Sequence, residues 1–134
     1  MLNEKQKPEP DRELNLLTEQ IIGAAIEVHR QLGPGLDGSL YEAALAIELG
    51  LRNIRFARQI TIPVSYRGQT IGDKRLDMIV EGKVVVELKA VEQVTDLYKS
   101  QTLTYLKITG LKIGLLINFN TKMLVDGIKR IINS

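Results

Sequence analysis

Leu14, Leu17, Ile21, Ala25, Val28 and Leu32 recur at steps of three and four residues, which predicts an amphipathic helix. Gly33-Pro34-Gly35 ends it, because proline cannot continue the ladder and glycine relaxes the turn. A second helix follows with Leu40, Ala44, Ile47 and Leu51 on one face, and Ser39-Leu-Tyr-Glu42 fits a capping box at its start. The pattern then changes. Arg55–Val64 mixes branched and polar residues, and Arg67-Gly68-Gln69 reads as a turn into a second extended segment. Arg75–Val80 and Val84–Ala90 are strand-like and joined by Glu81-Gly82-Lys83. A third helix is expected from about Thr95 to Thr109, stopped by Gly110. Ile113–Phe119 is a continuous apolar strand, and Met123–Val125 with Ile128–Ile132 completes the series. The order ααβββαββ predicts an α+β or α/β sandwich with a mixed sheet. Val84–Leu88 and Ile113–Phe119 lack alternation, so they are expected at its centre, covered on both faces.

A chain of 134 residues suits one core. Residues 1–13, charged and carrying Pro8 and Pro10, read as a loose leader without the apolar stretch of a signal peptide, and residues 14–134 as a single domain. No stretch approaches a membrane span, so a cytoplasmic protein is expected. Cysteine is absent, which excludes disulfides, thiolate zinc sites and cysteine nucleophiles. His29 is the one histidine, so a multi-histidine metal site is excluded as well. Any metal must lean on carboxylates, hence a hard ion such as Mg2+ or Mn2+. The net charge of +2 is unevenly divided: residues 1–53 hold five basic and nine acidic side chains, residues 54–134 thirteen and seven. A polyanion would meet the second part.

The chemistry gathers on the strand hairpin. If Val80 pairs with Val84 across a three-residue loop, facing residue numbers sum to 164 and Asp77 lies opposite Glu87. Such a pair has Cβ atoms about 5 Å apart, and like charges there repel. Lys89 falls on the same face as Glu87 by strand alternation. A divalent cation between the carboxylates would turn repulsion into coordination, with the lysine beside it to hold a water or steady a developing charge. A two-residue turn would instead throw Asp77 to the other face, and structural ion pairs at a sheet margin are the alternative to a site. Gln101 and Tyr105, four residues apart on the third helix, present an amide and a phenol on one helical face. Such groups suit a phosphate oxygen or a base edge, or equally a helix flank with a tyrosine half in the core.

Asp77, Glu87-x-Lys89 and Gln101-x-x-x-Tyr105 together resemble the PD-(D/E)XK nuclease superfamily, in the RecB-like variety with a QxxxY motif. The chain is most similar to the small bacterial GxxExxY proteins of that superfamily, from about Leu17 to Arg130. The likeness includes Leu32-Gly-Pro-Gly-Leu36, Tyr41-Glu42-Ala-Ala-Leu45, Val86-Glu-Leu-Lys-Ala90 and Gly114-Leu-Leu-Ile-Asn-Phe119. The resemblance implies a restriction-endonuclease-like mixed sheet flanked by helices and a nuclease using Mg2+ or Mn2+. Asp77 and Glu87 would be metal ligands, the Leu88 carbonyl a third, and Lys89 the residue that orients water. Gln101 and Tyr105 would support the site or contact substrate. His29 matches a position that joins the metal site in some RecB-like nucleases, and as a lone histidine it also suits a satisfied polar group.

One position departs from the family pattern. Gly35-Leu-Asp-Gly38-Ser-Leu-Tyr41 has Gly38 where the motif has glutamate, which removes a carboxylate from the start of a helix. Asp37 and Glu42 are the nearest substitutes, and Glu42 also has the capping role. Two function classes follow: a metal-dependent nuclease, or an impaired nuclease-fold module that binds nucleic acid or a protein partner. The expected partner is DNA or RNA, contacted by basic residues such as Arg55, Arg58, Arg67, Lys74 and Arg75, and a domain this small is compatible with a homodimer.

Overall fold

The structure is a computed structural model that describes residues 12–134. The leader expected over residues 1–13 falls mostly outside the described residues, and its last two residues already belong to a helix. That helix, α1 (Arg12–Leu32), buries Leu14, Ile21, Ala24, Ala25 and Val28 on one stripe. Gly33 and Gly35 then take φ of 68° and 104° in the turn to α2 (Gly38–Leu51). Tyr41 fixes this corner: its hydroxyl donates to the Gly33 carbonyl at 2.5 Å and accepts from the Leu36 amide at 3.1 Å. Its ring stacks on Phe119 with centroids 4.4 Å apart.

Helix α2 departs from expectation in two ways. The buried face carries Tyr41, Glu42, Leu45, Ala46 and Leu49, whereas Leu40, Ile47 and Leu51 are exposed. The helix is apolar on nearly every side, so spacing alone does not select the inward stripe. The capping box is also absent. Asp37 is the N-cap residue, no side chain caps the helix, and Glu42 turns to other partners.

Strands β1 (Phe56–Tyr66) and β2 (Gln69–Val80) form a long antiparallel hairpin closed by Arg67-Gly68, both at positive φ as a two-residue hairpin turn requires. Strand β3 (Val84–Lys89) returns antiparallel to β2 after Glu81-Gly82-Lys83. Helix α3 (Asp96–Thr109) starts at Thr95, whose side chain accepts from the Tyr98 amide, and stops at left-handed Gly110. The crossover brings β4 (Ile113–Asn118) parallel to β3. A short 3-10 turn (Leu124–Gly127) leads to β5 (Ile128–Ile132), antiparallel to β4.

The sheet order β1-β2-β3-β4-β5 places β3 at the centre, and the order ααβββαββ is the one expected. Helices α1 and α2 cover one face, packing on Met78, Val80, Val84, Val86, Leu88, Leu115 and Ile117. Helix α3 covers the other through Leu106 and Tyr105, against Ile62, Leu76 and Val85. Burial on both faces explains why β3 and β4 read as continuous apolar runs. Among the described residues, no helix is long and apolar enough to cross a membrane.

Candidate active site

The hairpin register follows from its three-residue loop. Val80 pairs with Val84, Ile79 with Val85 and Met78 with Val86, so facing numbers sum to 164. The ladder then stops, and side chains replace the backbone bonds one level on. The Asp77 amide donates to Glu87 Oε1 at 3.2 Å, and the Leu88 amide donates to Asp77 Oδ2 at 2.8 Å. Each carboxylate therefore spends one oxygen on holding the two strands and keeps the other outside these bonds.

Alternation puts Val85, Glu87 and Lys89 on the side of α3, as the packing of Val85 in the α3 cluster requires. Glu87 is 6% exposed. Burial and then the neighbouring Asp77 charge push its carboxyl up to about 8, against the opposing pull of the Asp77 amide and Lys89. The Lys89 ammonium sits 4.5 Å from the centre of the Tyr98 ring, an aromatic face that holds a cation. The Tyr105 phenol, on the α3 side of the sheet, is raised first by burial and then by the charges of Glu87 and Asp77. Gln101, one turn earlier, is half-buried, and its amide has no hydrogen-bond partner among the described residues.

These donors suit a hard divalent cation. Two carboxylates side by side, one of them raised by burial and then by the other's charge, are the arrangement a cation relieves. An all-oxygen set favours Mg2+ or Mn2+ over softer ions. The set is small: among the described residues, no three His, Cys, Asp or Glu side chains converge to hold a metal.

The remaining expected residues lie elsewhere. His29 Nε2 bonds the Thr121 carbonyl at 2.8 Å, and its ring lies 6.3 Å from Phe119, on the side of α1. A ring nitrogen facing a carbonyl is the donor, so this nitrogen is not available to a metal. Both Glu42 oxygens are taken: Arg58 Nε donates to Oε2 at 2.9 Å and Gln59 Nε2 to Oε1 at 2.7 Å. Of the expected phosphate contacts, Arg58 is thus paired with Glu42 and Arg55 with Glu81 at 3.3 Å. Arg67, Lys74 and Arg75 lie on the exposed outer part of the β1–β2 hairpin.

Two contributors were not anticipated from the sequence. Tyr98 carries no motif, and only its place one turn before Gln101 puts it near the lysine. Asn118, at the end of β4, accepts from the Val91 and Asn120 amides and donates to the Val91 carbonyl, while the Phe119 amide bonds the Lys89 carbonyl. Together they pin the segment that follows Lys89. A lone asparagine within the apolar run Ile113–Phe119 is the sequence signal available.

The five-stranded mixed sheet flanked by three helices is consistent with a restriction-endonuclease-like α/β fold, and the family comparison agrees. The chain belongs to the PD-(D/E)XK nuclease superfamily, whose family model matches residues 15–131. Its structure is similar to the crystal structure of the protein designated SSO0001, with a TM-score of 0.55 and 17% identity over 72% of this chain and 50% of that one. At that identity the likeness shows the fold alone, and the chain spans half of that protein's length. No curated protein matches the sequence significantly.

Proposed function

We propose that the protein is a metal-dependent nuclease that hydrolyses phosphodiester bonds of DNA or RNA. Asp77 and Glu87 hold one Mg2+ or Mn2+ ion with help from the Leu88 carbonyl. Superfamily membership supports the reaction class. The observation that carries the assignment to these residues is the opened ladder, where two carboxylates replace backbone bonds beside a lysine. When bound, the ion supplies charge neutralisation and polarises the phosphate and the water.

The chain's own residues do the rest. Lys89, held against Tyr98, orients the attacking water and offers positive charge to the phosphate as it becomes pentacovalent. Tyr105 and Gln101 offer a hydroxyl and an amide to non-bridging oxygens or a base edge from the same side. Arg67, Lys74 and Arg75 give the outer hairpin a salt-dependent, sequence-neutral hold on the phosphate backbone. A chain without cysteine is suited to the reducing cytoplasm.

Gly38 favours a second reading, a binding module without turnover. The start of α2 has no acidic residue in its first turn, and no heavy atom lies within 4 Å of where a Cβ at Gly38 would stand. Cleavage of labelled DNA and RNA in Mn2+ by the native chain, Glu87→Ala and Gly38→Glu separates the readings. Cleavage lost in Glu87→Ala supports the nuclease. Tight binding without cleavage, even in Gly38→Glu, supports the module.

A further inference from the structure

Strands β1 and β2 both change face at the level of Asp77. In a regular strand, residues two apart share a face. Here Met78 packs in the α1–α2 cluster and Leu76 in the α3 cluster. On β1, Arg58 is level with Met78 and reaches Glu42 on α2, while Ile60 is level with Leu76 and packs on the α3 side. Both strands therefore rotate between these levels. The pairing steps over the residues in between, Gln59 on β1 and Asp77 on β2. Gln59 has φ of 52°, the left-handed region that residues other than glycine avoid.

A strained turn inside a strand persists only where its surroundings hold it. The holder is Glu42, 6% exposed, which grips Gln59 and Arg58 with its two oxygens. No bond joins Glu42 to Asp77, so its influence on Asp77 runs through β1. The rotated level is also the one at which the Asp77 carboxylate turns to the Leu88 amide instead of continuing a face.

We propose that Glu42 is a positioning residue: by clamping Gln59 in its left-handed conformation, with Arg58 alongside, it sets the strand rotation that aims Asp77 at Glu87. The inference rests on Asp77 and Glu87 being the metal ligands. It gives the buried glutamate next to Gly38 a role that is neither helix cap nor ligand.

The test uses the full chain and two readouts: Mn2+ affinity by calorimetry, and amide exchange of Leu88, which reports the Asp77 carboxylate with no metal present. Glu42→Gln is expected to weaken Mn2+ about tenfold, as loss of a supporting partner does, and to speed Leu88 exchange relative to Val86. Adding Gln59→Gly to that variant is expected to restore both, because glycine holds a left-handed φ unaided. Gln59→Val, at an exposed position that leaves the core intact, is expected to reproduce the Glu42→Gln defect. Unchanged Leu88 exchange and Mn2+ affinity in Glu42→Gln and Gln59→Val would overturn the proposal. So would a loss of affinity that Gln59→Gly does not restore with Leu88 exchange unchanged, the signature of Glu42 as a direct ligand. Glu87→Gln is the control for the site: if it binds Mn2+ as tightly as the native chain, the metal assignment fails, and Leu88 exchange alone still decides the clamp.

Discussion

Asp77 and Glu87 meet where a β-ladder would have continued, and the Glu87 carboxylate accepts the Asp77 amide at 3.2 Å where a carbonyl is normally found. The strands part without leaving that amide unbonded. Buried backbone donors are costly when orphaned, on the order of 1–3 kcal/mol each. The carboxylates thus have a structural duty in the absence of any metal, which makes their replacement informative in two ways.

The first prediction concerns pH. Glu87 is raised to about 8 in the folded chain from an ordinary 4.5, so the folded state holds a proton that the unfolded state releases. Its contribution to stability is complete below about pH 4.5, is lost as the pH climbs toward 8, and is level above that. The decline is expected to be on the order of a few kcal/mol. Urea unfolding from pH 5 to 9 measures it, and Glu87→Gln is expected to flatten this part of the curve. Mn2+, which takes the ionised form, is expected to raise the unfolding temperature more at pH 8.5 than at pH 5.5.

Lys89 and Tyr98 allow rate to be separated from binding. Lys89→Ala is expected to leave Mn2+ affinity nearly intact while cleavage falls by about two orders of magnitude or more. Tyr98→Leu removes the aromatic face behind the ammonium and is expected to slow cleavage only several-fold, since such contacts are worth about 0.5–1 kcal/mol. Tyr98→Phe is expected to match the native rate. Single-turnover cleavage at saturating Mn2+ is the measurement.

The inward face of α2 makes a third prediction. Leu45→Ala opens a cavity in the larger core and is expected to cost about 2–5 kcal/mol. Ile47→Ala, at a position 66% exposed, is expected to change stability by less than about 0.5 kcal/mol. Reversed magnitudes in urea titrations would mean that the helix packs on its other face.

Gly38→Glu is expected to stabilise the protein by about 1 kcal/mol. It replaces a poor helix former with a good one and adds a negative charge to a first turn that has none, beside the N-cap Asp37. Open space around the position means that the side chain meets no clash. Thermal unfolding checks this separately from any gain in metal affinity.

Much of this architecture is legible from local signals, for reasons visible residue by residue. Thr95 and Gly110 bound α3 because a hydroxyl cap and a left-handed glycine act within a few residues of themselves. The hairpin register is not legible in this way: Glu81-Gly82-Lys83 allows a two- or a three-residue turn, both faces of the sheet are apolar, and the folded chain takes the three-residue form that pairs Val80 with Val84. The face of α2 is not legible, because apolar residues surround that helix and its inward face includes Tyr41, stacked on Phe119 just after the distant strand β4. The capping box fails for a related reason: Ser39 and Glu42 have the right spacing, but tertiary partners on β1 take the glutamate. Gln59 gives no sequence sign of its left-handed backbone, which a residue other than glycine adopts only when something else imposes it.

The proposed role of Asp77 and Glu87 is to form a metal site that cleaves phosphodiesters. Cleavage of a labelled nucleic acid, followed as Mn2+ is titrated into native chain and Glu87→Gln, tests it most directly. The expected rate rises and saturates with Mn2+ in the native chain, vanishes with chelator and is absent in Glu87→Gln at every concentration. Equal rates for the two proteins, or a native rate indifferent to chelator, would contradict it.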